Sequence, residues 1–400
     1  MLPPILSVPN LKPKMFSGDL PATSSAEILV GNDDLLTEIL LRTPVKSLIR
    51  FKSVSKRWFS LISDHHFSLN HTLRNPSLSS HGLILHRPQQ NQLVFVPLSQ
   101  SLSSPPCSSL NFAHDSVKIL QSCHGLLCCS SVLTINKSRN YYIYNPTTKQ
   151  FSTLPRLKYE NSTVFGVNLA YNPMKSPHYE VICVLASVLP SQYKIEIFSS
   201  DEKFWRPFGE SFSAPIDMVF HNGVYWNNSI HWISSTGVAL FLSLEAECIK
   251  PMPLPQMVRN FGTAARRFRY FGESQGHLHL IEVYGSRTTQ FDVFEMESDY
   301  STWFVKYKVD LDYVVSSFPM IMRRNRNDPS DLDFYAFFIL CVVREENEES
   351  SSLVLNVPGK IISYNFKDKS FRQICDLGVK GSIDFGWFDV YQYFETLSSV

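Results

Sequence analysis

The sequence YNPTTKQFSTLP, residues 144–155, indicates the fold of most of this 400-residue chain. An aromatic strand end, a polar turn and a second aromatic or apolar residue follow one another, which is typical of two strands joined by a tight turn. The pattern recurs from Phe198, Leu242, Phe294 and Tyr364, at intervals of 54, 44, 52 and 70 residues. Periods of about 40 to 50 residues are typical of β-propeller blades.

The residues around this repeat favour strands as well. From His81 onward, short apolar runs such as HLHLIEV (277–283) alternate with turn residues, and a second strand pair, for example NGVYWNNSIHWI (222–233), precedes several copies. Each unit therefore reads as a four-stranded meander, and the chain has room for roughly six of them. We predict a mainly β chain with a β-propeller-like domain over 81–397, and a β-sandwich is the alternative.

The composition excludes some classes of partner. Aromatic residues make up 13% of the chain and charged residues 18%, and the net charge is +1. Such a charge creates no global field that would attract nucleic acid or an anionic membrane, so we expect neither partner. No apolar stretch approaches the roughly twenty residues that a membrane-spanning helix needs.

A different pattern precedes the strands, in NDDLLTEILLRTPVKSLIRFKSVSKRWFSLISDHHF, residues 32–67. Apolar residues recur at three- and four-residue spacing, which predicts three short helices. We expect Thr43 to cap the second helix with Pro44 at its first position, and Ser55 to cap the third. The apolar residues, which include Leu35, Leu41, Phe51, Val54 and Phe59, exceed what three short helices can bury against each other. Surplus apolar surface of this kind indicates a partner site, although an ordinary helical cap on the next domain stays possible.

Residues 33–64 also resemble the F-box of plant F-box proteins, through the acidic start, PVKSL (44–48) and VSKRW (54–58). The resemblance implies a surface for the Skp-type adaptor of a cullin ubiquitin ligase. Gly31 and Asn32 replace the usual Leu-Pro, and Thr43 replaces an apolar residue, and the sequence does not decide whether these departures weaken adaptor binding. The predicted adaptor-binding residues are Leu35, Leu36, Ile39, Leu40, Pro44, Val45, Leu48, Ile49 and Trp58, with Trp58 as apt to lock the third helix against the second.

The β region resembles the F-box-associated, Kelch-like domain of the same plant proteins. The matching segments are SCHGLLCCSS (122–131), YYIYNPTTKQFSTLP (141–155) and FGWFDVYQYFETL (385–397). The resemblance implies a target-binding domain and therefore a non-catalytic substrate-recognition subunit of a Skp–cullin–F-box ubiquitin ligase, located in the cytoplasm, the nucleus or both. The alternatives are a scaffold that no longer assembles a ligase, and a glycan-binding propeller or propeller enzyme.

The predicted domain organisation has three parts: a disordered segment rich in Pro and Ser (1–30), the F-box (31–73) and the propeller-like domain (81–397). The target cannot be named, because propeller loops vary without altering the scaffold.

Motifs with catalytic or metal-binding chemistry lack the context that this chemistry requires. GESQG (272–276) matches the serine-hydrolase elbow, but a strand follows it where a helix is needed, so we place Ser274 in a hairpin turn. His277 and His279 lack a third ligand. The cluster of Cys123, His124, Cys128 and Cys129 lies in an apolar run and predicts buried free thiols. We therefore predict no catalytic residue, metal or cofactor.

Two groups of arginines are candidates for target recognition. One comprises Arg259, Arg266, Arg267 and Arg269, and the other comprises Arg323, Arg324 and Arg326. On propeller loops, guanidinium groups could bind an acidic or phosphorylated target. The alternative is that they are solvated loop residues, since loops are usually polar.

Overall fold

The computed structural model of the chain describes residues 32–76, 80–87, 92–98, 109–110, 112–113, 116–132, 139–157, 163–255, 266–284, 287–322, 334–378 and 390–400. The segment 1–30, predicted to be disordered, lies outside the described residues. The described part contains five α-helices, of which four precede the first strand. They are α1 (Asp33–Leu40), α2 (Val45–Phe51), α3 (Lys56–Ser63), α4 (His65–Arg74) and α5 (Asp312–Ser317). We call residues 32–76 the helical module.

Six antiparallel sheets follow the helical module. Blade 1 contains β1 (Gly82–Arg87), β2 (Gln92–Pro97) and β23 (Val390–Tyr393). Blade 2 contains β3 (Val117–Cys123), β4 (Leu126–Ser131), β5 (Tyr141–Asn145) and β6 (Gln150–Thr153). Blade 3 contains β7 (Val164–Ala170), β8 (Glu180–Ala186), β9 (Gln192–Ser199) and β10 (Trp205–Ser213). Blade 4 contains β11 (Val224–Trp226), β12 (Ser229–Ile233), β13 (Ala239–Ser243) and β14 (Cys248–Met252). Blade 5 contains β15 (Arg266–Ser274), β16 (His277–Tyr284), β17 (Gln290–Met296) and β18 (Trp303–Asp310). Blade 6 contains β19 (Phe338–Val343), β20 (Ser352–Val357), β21 (Lys360–Asn365) and β22 (Phe371–Asp376).

The six sheets form a closed β-propeller. Blades 2 to 6 are four-stranded meanders, and contacts between the first strands of neighbouring blades arrange them around a common axis. The ring closes in blade 1, where β23 pairs with β1 from Gly82↔Tyr393 to Leu85↔Val390. The predicted mainly β fold with propeller-like repeats is therefore confirmed, and no β-sandwich forms. The predicted domain boundaries stay predictions.

The propeller has two distinct faces. In each of blades 2 to 6 the first strand turns into the second at the same end of the ring, for example at His124 and Gly125. The helical module and the last residues of the chain, 394–400, lie at this end, which we call the near face. Because meander strands alternate in direction, the loops between second and third strands and between blades lie at the opposite end, the far face.

A recurring hydrogen bond explains two features of the sequence repeat. The Trp205 indole N–H donates to the carbonyl of Pro155 at 2.7 Å, and the Trp303 indole N–H donates to the carbonyl of Pro253 at 2.8 Å. Each tryptophan begins the outer strand of one blade, and each proline follows the outer strand of the blade before it. A buried indole N–H needs an acceptor, so the recurring Trp and Pro positions join adjacent blades.

His231 in blade 4 is a completely buried titratable group. Its Nδ1 is 3.1 Å from the carbonyl oxygen of Val224, which can only accept, so Nδ1 carries the proton. Its Nε2 therefore accepts from the Tyr300 hydroxyl at 2.9 Å, and the ring stacks on Phe241 and Tyr300. Burial lowers the pKa of His231 to about 4, because a second proton would place a charge among aromatic rings.

We expect His231 to make the fold sensitive to acid. Between pH 6.5, the usual histidine value, and pH 4 the unfolded chain binds a proton that the folded chain does not. The contribution of neutral His231 to stability is therefore complete above about pH 6.5 and is lost as the pH falls toward 4. Denaturant titrations should show the stability difference between wild type and His231→Gln shrinking by about 3 kcal/mol over this range. His66→Gln, at an exposed position of α4, is the matched control. Parallel curves for wild type and His231→Gln would contradict the assignment.

Candidate functional site: the exposed side of the helical module

The first helix begins at Asn32, one of the residues that depart from the resembled motif. Its side chain accepts hydrogen bonds from the backbone N–H groups of Asp34 at 2.9 Å and Leu35 at 3.2 Å. Asp33, in the first turn, accepts from the Arg57 Nε at 2.6 Å and so connects α1 to α3. Asn32 is a favourable N-cap, so this departure does not disturb the start of the helix.

The prediction that Thr43 caps α2 is wrong. The α2 helix has Pro44 at its N-cap without a side-chain hydrogen bond, and the Thr43 hydroxyl instead donates to the Ile39 carbonyl at 3.0 Å. Thr43 thus satisfies a carbonyl at the end of α1, as helix ends require. The cap predicted for the third helix is confirmed, because Ser55 accepts from the Trp58 N–H at 3.1 Å.

The helical module contains a fourth helix, α4, beyond the three that we predicted. It begins at Asp64, which accepts from the N–H groups of His66 and Phe67. The segment HHFSLNHTLR has little apolar periodicity, so helical spacing alone does not reveal it. Two hydrogen bonds join the end of α4 to the α1–α2 connection: His71 Nε2 donates to the Thr43 carbonyl at 2.9 Å, and the amide of Asn75, just after the helix, donates to the Leu41 carbonyl at 2.8 Å.

The core of the helical module includes a residue from the far end of the chain. Leu397 is buried in the same cluster as the apolar side chains Leu36, Leu40, Leu41, Leu48, Ile62 and Phe67. Two polar contacts accompany it: Lys46 Nζ lies 3.3 Å from a Glu395 carboxylate oxygen, and Ser399 Oγ lies 3.1 Å from His65 Nδ1. Residues 394–400, which we call the C-terminal strap, therefore connect the helical module to the near face.

Several apolar side chains of the helical module stay uncovered. Leu35 is 43% exposed and Ile39 is 49% exposed, one turn apart on α1, so they share a face. Val54, between α2 and α3, and Phe59, on α3, are also exposed. The propeller and the C-terminal strap do not cover these four side chains, which we call the exposed apolar side.

The structure divides the nine predicted adaptor-binding residues into three groups. Leu35, Ile39 and Pro44 are exposed, whereas Val45, Ile49 and Trp58 are half-buried. Leu36, Leu40 and Leu48 are buried in the core of the module, where they cannot contact a partner without rearrangement.

The location of three of these residues further restricts which of the nine can contact an adaptor. Pro44 and Val45 line a cavity of about 320 Å³ between the module and the near face, so they lie toward the propeller. The Trp58 ring packs edge-on against Phe51 at 5.3 Å, which locks α3 to α2. Val54 and Phe59 were noted as surplus apolar residues but were absent from the nine.

Comparison with known proteins agrees with this division into a helical module and a propeller. Residues 32–70 match the F-box domain family, and residues 95–310 match the KIB1-4 beta-propeller family. The F-box protein At5g07610 of Arabidopsis thaliana is 35% identical over 374 residues, which cover 89% of this chain and 88% of that protein.

The chain is an F-box protein with a KIB1-4 β-propeller.

A second relative of this F-box protein, the Arabidopsis thaliana F-box protein At5g49610, is 29% identical over 305 residues, covering 72% of this chain and 81% of that protein. Among solved structures, a chain in the crystal structure of a nidogen/laminin complex aligns with a TM-score of 0.41 and 7% identity, over 79% of this chain and 99% of that one, too low a score to support a conclusion. The propeller family that matches is the KIB1-4 type, and the Kelch-like, F-box-associated character stays a prediction.

The arginine candidates do not form a loop cluster in the described structure. Arg266, Arg267 and Arg269 belong to β15, the first strand of blade 5, so the loop placement that we expected for them is wrong. Arg259, Arg323, Arg324 and Arg326 lie outside the described residues. A role of either group in target recognition stays a prediction.

The remaining motifs have structural roles in the F-box protein. The sequence pattern places Ser274 in the turn, but it is the last residue of β15, directly before the Gln275–Gly276 hairpin turn, and its hydroxyl accepts from the Arg344 N–H at 3.0 Å. His277 and His279 lie 3.0 Å and 3.3 Å from the carboxylate oxygens of Glu295, which also pairs with Arg344.

The cysteine cluster also matches its prediction. Cys123, Cys128 and Cys129 are buried free thiols, and burial raises the pKa of Cys128 to about 12. Among the residues that the structure describes, no group of His, Cys, Asp and Glu has the arrangement of a metal site. No helix in the described ranges is both long enough and apolar enough to cross a bilayer.

Proposed function

We propose that this F-box protein is the substrate-recognition subunit of a Skp–cullin–F-box ubiquitin ligase, acting in the cytoplasm, the nucleus or both. The observation that carries the proposal is the exposed apolar side, formed by Leu35, Ile39, Val54 and Phe59. F-box domains generally bind Skp-type adaptors, and a partner that covers these side chains would remove apolar surface from water.

The arrangement of the two domains supports a role as a physical link. The F-box is attached to the near face through the C-terminal strap, so it does not occupy the far face, where we place the target protein. A subunit of this kind works by holding two partners together, which raises the local concentration of target lysines near the ubiquitin-carrying enzyme. This mechanism requires no catalytic acid, base or nucleophile from this chain.

Co-purification tests the assembly directly. The full chain, co-expressed with a Skp-type adaptor and a cullin, should elute with both in one peak on size-exclusion chromatography. A peak that contains the adaptor but no cullin would favour a scaffold without ligase function. Elution without the adaptor would contradict the proposal. When the ternary complex forms, affinity purification with the proteasome blocked should recover accumulated target proteins.

A further inference from the structure

A row of polar side chains crosses blade 2 close to the far face. Lys118 on β3 pairs with Ser130 on β4, and Ser130 pairs with Tyr141 on β5. Directly paired residues on neighbouring strands point to the same side of a sheet, so these three side chains lie side by side. Val117 and Ile119, which flank Lys118, are buried in the apolar cluster on the other side of the blade. Lys118 therefore points toward blade 3.

Three further basic side chains lie near enough to Lys118 to interact with it electrostatically. Arg139 precedes β5, where the Asn140 N–H donates to Ser131 Oγ at 2.9 Å, and the charge of Arg139 opposes the burial that raises the pKa of Tyr141. His86 accepts at Nδ1 from the N–H of Ile119 at 3.3 Å. His221 lies two residues before Gly223, whose carbonyl accepts from the Gln121 amide of β3 at 2.6 Å. We call Lys118, Arg139, His86 and His221 the basic cluster.

The basic cluster forms no ion pair within the described part of the chain. Neither Lys118 nor Arg139 forms an ion pair with a carboxylate among the described residues, although both are partly buried. Burial lowers the pKa of Lys118 and the charge of Arg139 lowers it further, while Lys118 adds to the lowering for His86 and His221. Each positive charge in the cluster makes protonation of its neighbours less favourable, and a bound anion would offset this repulsion.

Three buried polar atoms in this region lack a hydrogen-bond partner: Ser130 Oγ, Arg139 Nε and His86 Nε2. Ser130 is completely buried beside Lys118, and His86 is almost completely buried. Buried polar atoms are nearly always paired, because an unpaired one costs about 1–3 kcal/mol. Three of them near two cations that form no ion pair among the described residues point to a ligand rich in acceptor oxygens.

We propose that the basic cluster is an anion-binding site on the far face that takes an oxyanion, either a phosphoryl group or a carboxylate carried by the target protein. That the oxyanion belongs to a target protein rests on the proposed function, whereas the binding of an oxyanion by the chain does not. A guanidinium fork and an ammonium group together suit such an anion, since Arg bonds two oxygens at once and Lys adds a point charge. The adaptor surface lies on the opposite side of the molecule, so the two activities can be tested separately.

Titration calorimetry of the full chain tests the site with inorganic phosphate and with acetate at matched ionic strength. We expect binding of at least one of the two anions, with phosphate binding alone indicating a phosphorylated carrier and acetate binding an acidic one. The double variant Lys118→Met, Arg139→Gln should weaken the binding of the anion to the chain at least tenfold. Lys360→Met, which removes another far-face lysine that hydrogen-bonds Gln373 Oε1 and lies over the Phe318 ring, should leave it unchanged. No binding of either anion to the wild type, or equal binding by the double variant, would overturn the proposal. Adaptor capture measured on the same samples separates this failure from a failure of the proposed function.

A substitution inside the site gives a second test that does not depend on a soluble ligand. Ser130→Asp places a carboxylate beside Lys118 and so imitates the bound anion. We expect its thermal midpoint to fall much less in the otherwise wild-type chain than in the Lys118→Met background, because a buried carboxylate is tolerated only beside a cation. Equal falls in both backgrounds would overturn the placement of the anion beside Lys118.

Discussion

Replacing Leu35 and Ile39 together by aspartate is expected to abolish capture of a Skp-type adaptor by this F-box protein, while the chain stays folded. Both side chains are about half exposed and contribute little to the core, so their loss removes a partner surface rather than packing. Apolar side chains at the centre of an interface commonly contribute 2 kcal/mol or more each, and a desolvated carboxylate adds a further penalty. We expect affinity for the adaptor to fall by a factor of about a thousand or more, measured by surface plasmon resonance with immobilised adaptor.

The matched control uses equally apolar side chains elsewhere. Val188 and Ile216, on far-face loops, are 90% and 84% exposed, and the double variant Val188→Asp, Ile216→Asp should bind the adaptor like the wild type. Circular dichroism should show that both variants keep the wild-type secondary structure. Wild-type affinity in a folded Leu35→Asp, Ile39→Asp chain would show that the adaptor does not bind this side of the module.

Replacing Leu397 by aspartate is expected to separate the F-box from the propeller. Leu397 is buried among Leu36, Leu48 and Phe67, so a carboxylate there would lie unpaired in an apolar core. Truncating a buried leucine to alanine costs about 2–5 kcal/mol, and introducing a charge costs more. The F-box should therefore unfold before the propeller, and differential scanning calorimetry should show a new transition at lower temperature. Hydrogen exchange should show faster exchange in α1 to α4 and unchanged exchange in blades 2 to 5.

The control for Leu397→Asp is a substitution that removes a polar contact at the edge of the C-terminal strap. Ser399→Ala removes only the hydroxyl that lies beside the half-exposed His65, so we expect a change below about 1 kcal/mol and no new transition. A single cooperative transition for Leu397→Asp at the wild-type temperature would show that the strap does not stabilise the F-box.

The local pattern of the sequence predicts the repeats and the helices because both depend on neighbouring residues. The recurring strand–turn–strand unit produces blades, and the apolar spacing in 33–62 produces α1 to α3. The cap at Ser55 follows from the same local rules. The Thr43 hydroxyl can either cap the next helix or bond a carbonyl of the preceding helix, and it bonds the Ile39 carbonyl; local rules allow both.

Contacts between distant segments lie outside what such patterns can predict. The buried side of α1 packs against Leu48, Ile62 and Phe67 of the other helices and against Leu397, about 360 residues away. Helical spacing does not reveal these contacts, so it does not separate Leu36 and Leu40 from Leu35 and Ile39. The basic cluster combines residues of blade 1, blade 2 and the connection into blade 4, none of which forms a basic run in the sequence.

The pairing of β1 with β23 has a consequence for biosynthesis. During translation β1 emerges about 300 residues before its partner strand β23 and Leu397. At about 5 to 20 residues per second, the ribosome leaves the nascent chain with an open ring and an unfinished helical core for roughly 15 to 60 seconds. The helical module therefore acquires its complete core only when the last blade strand is also available to close the ring.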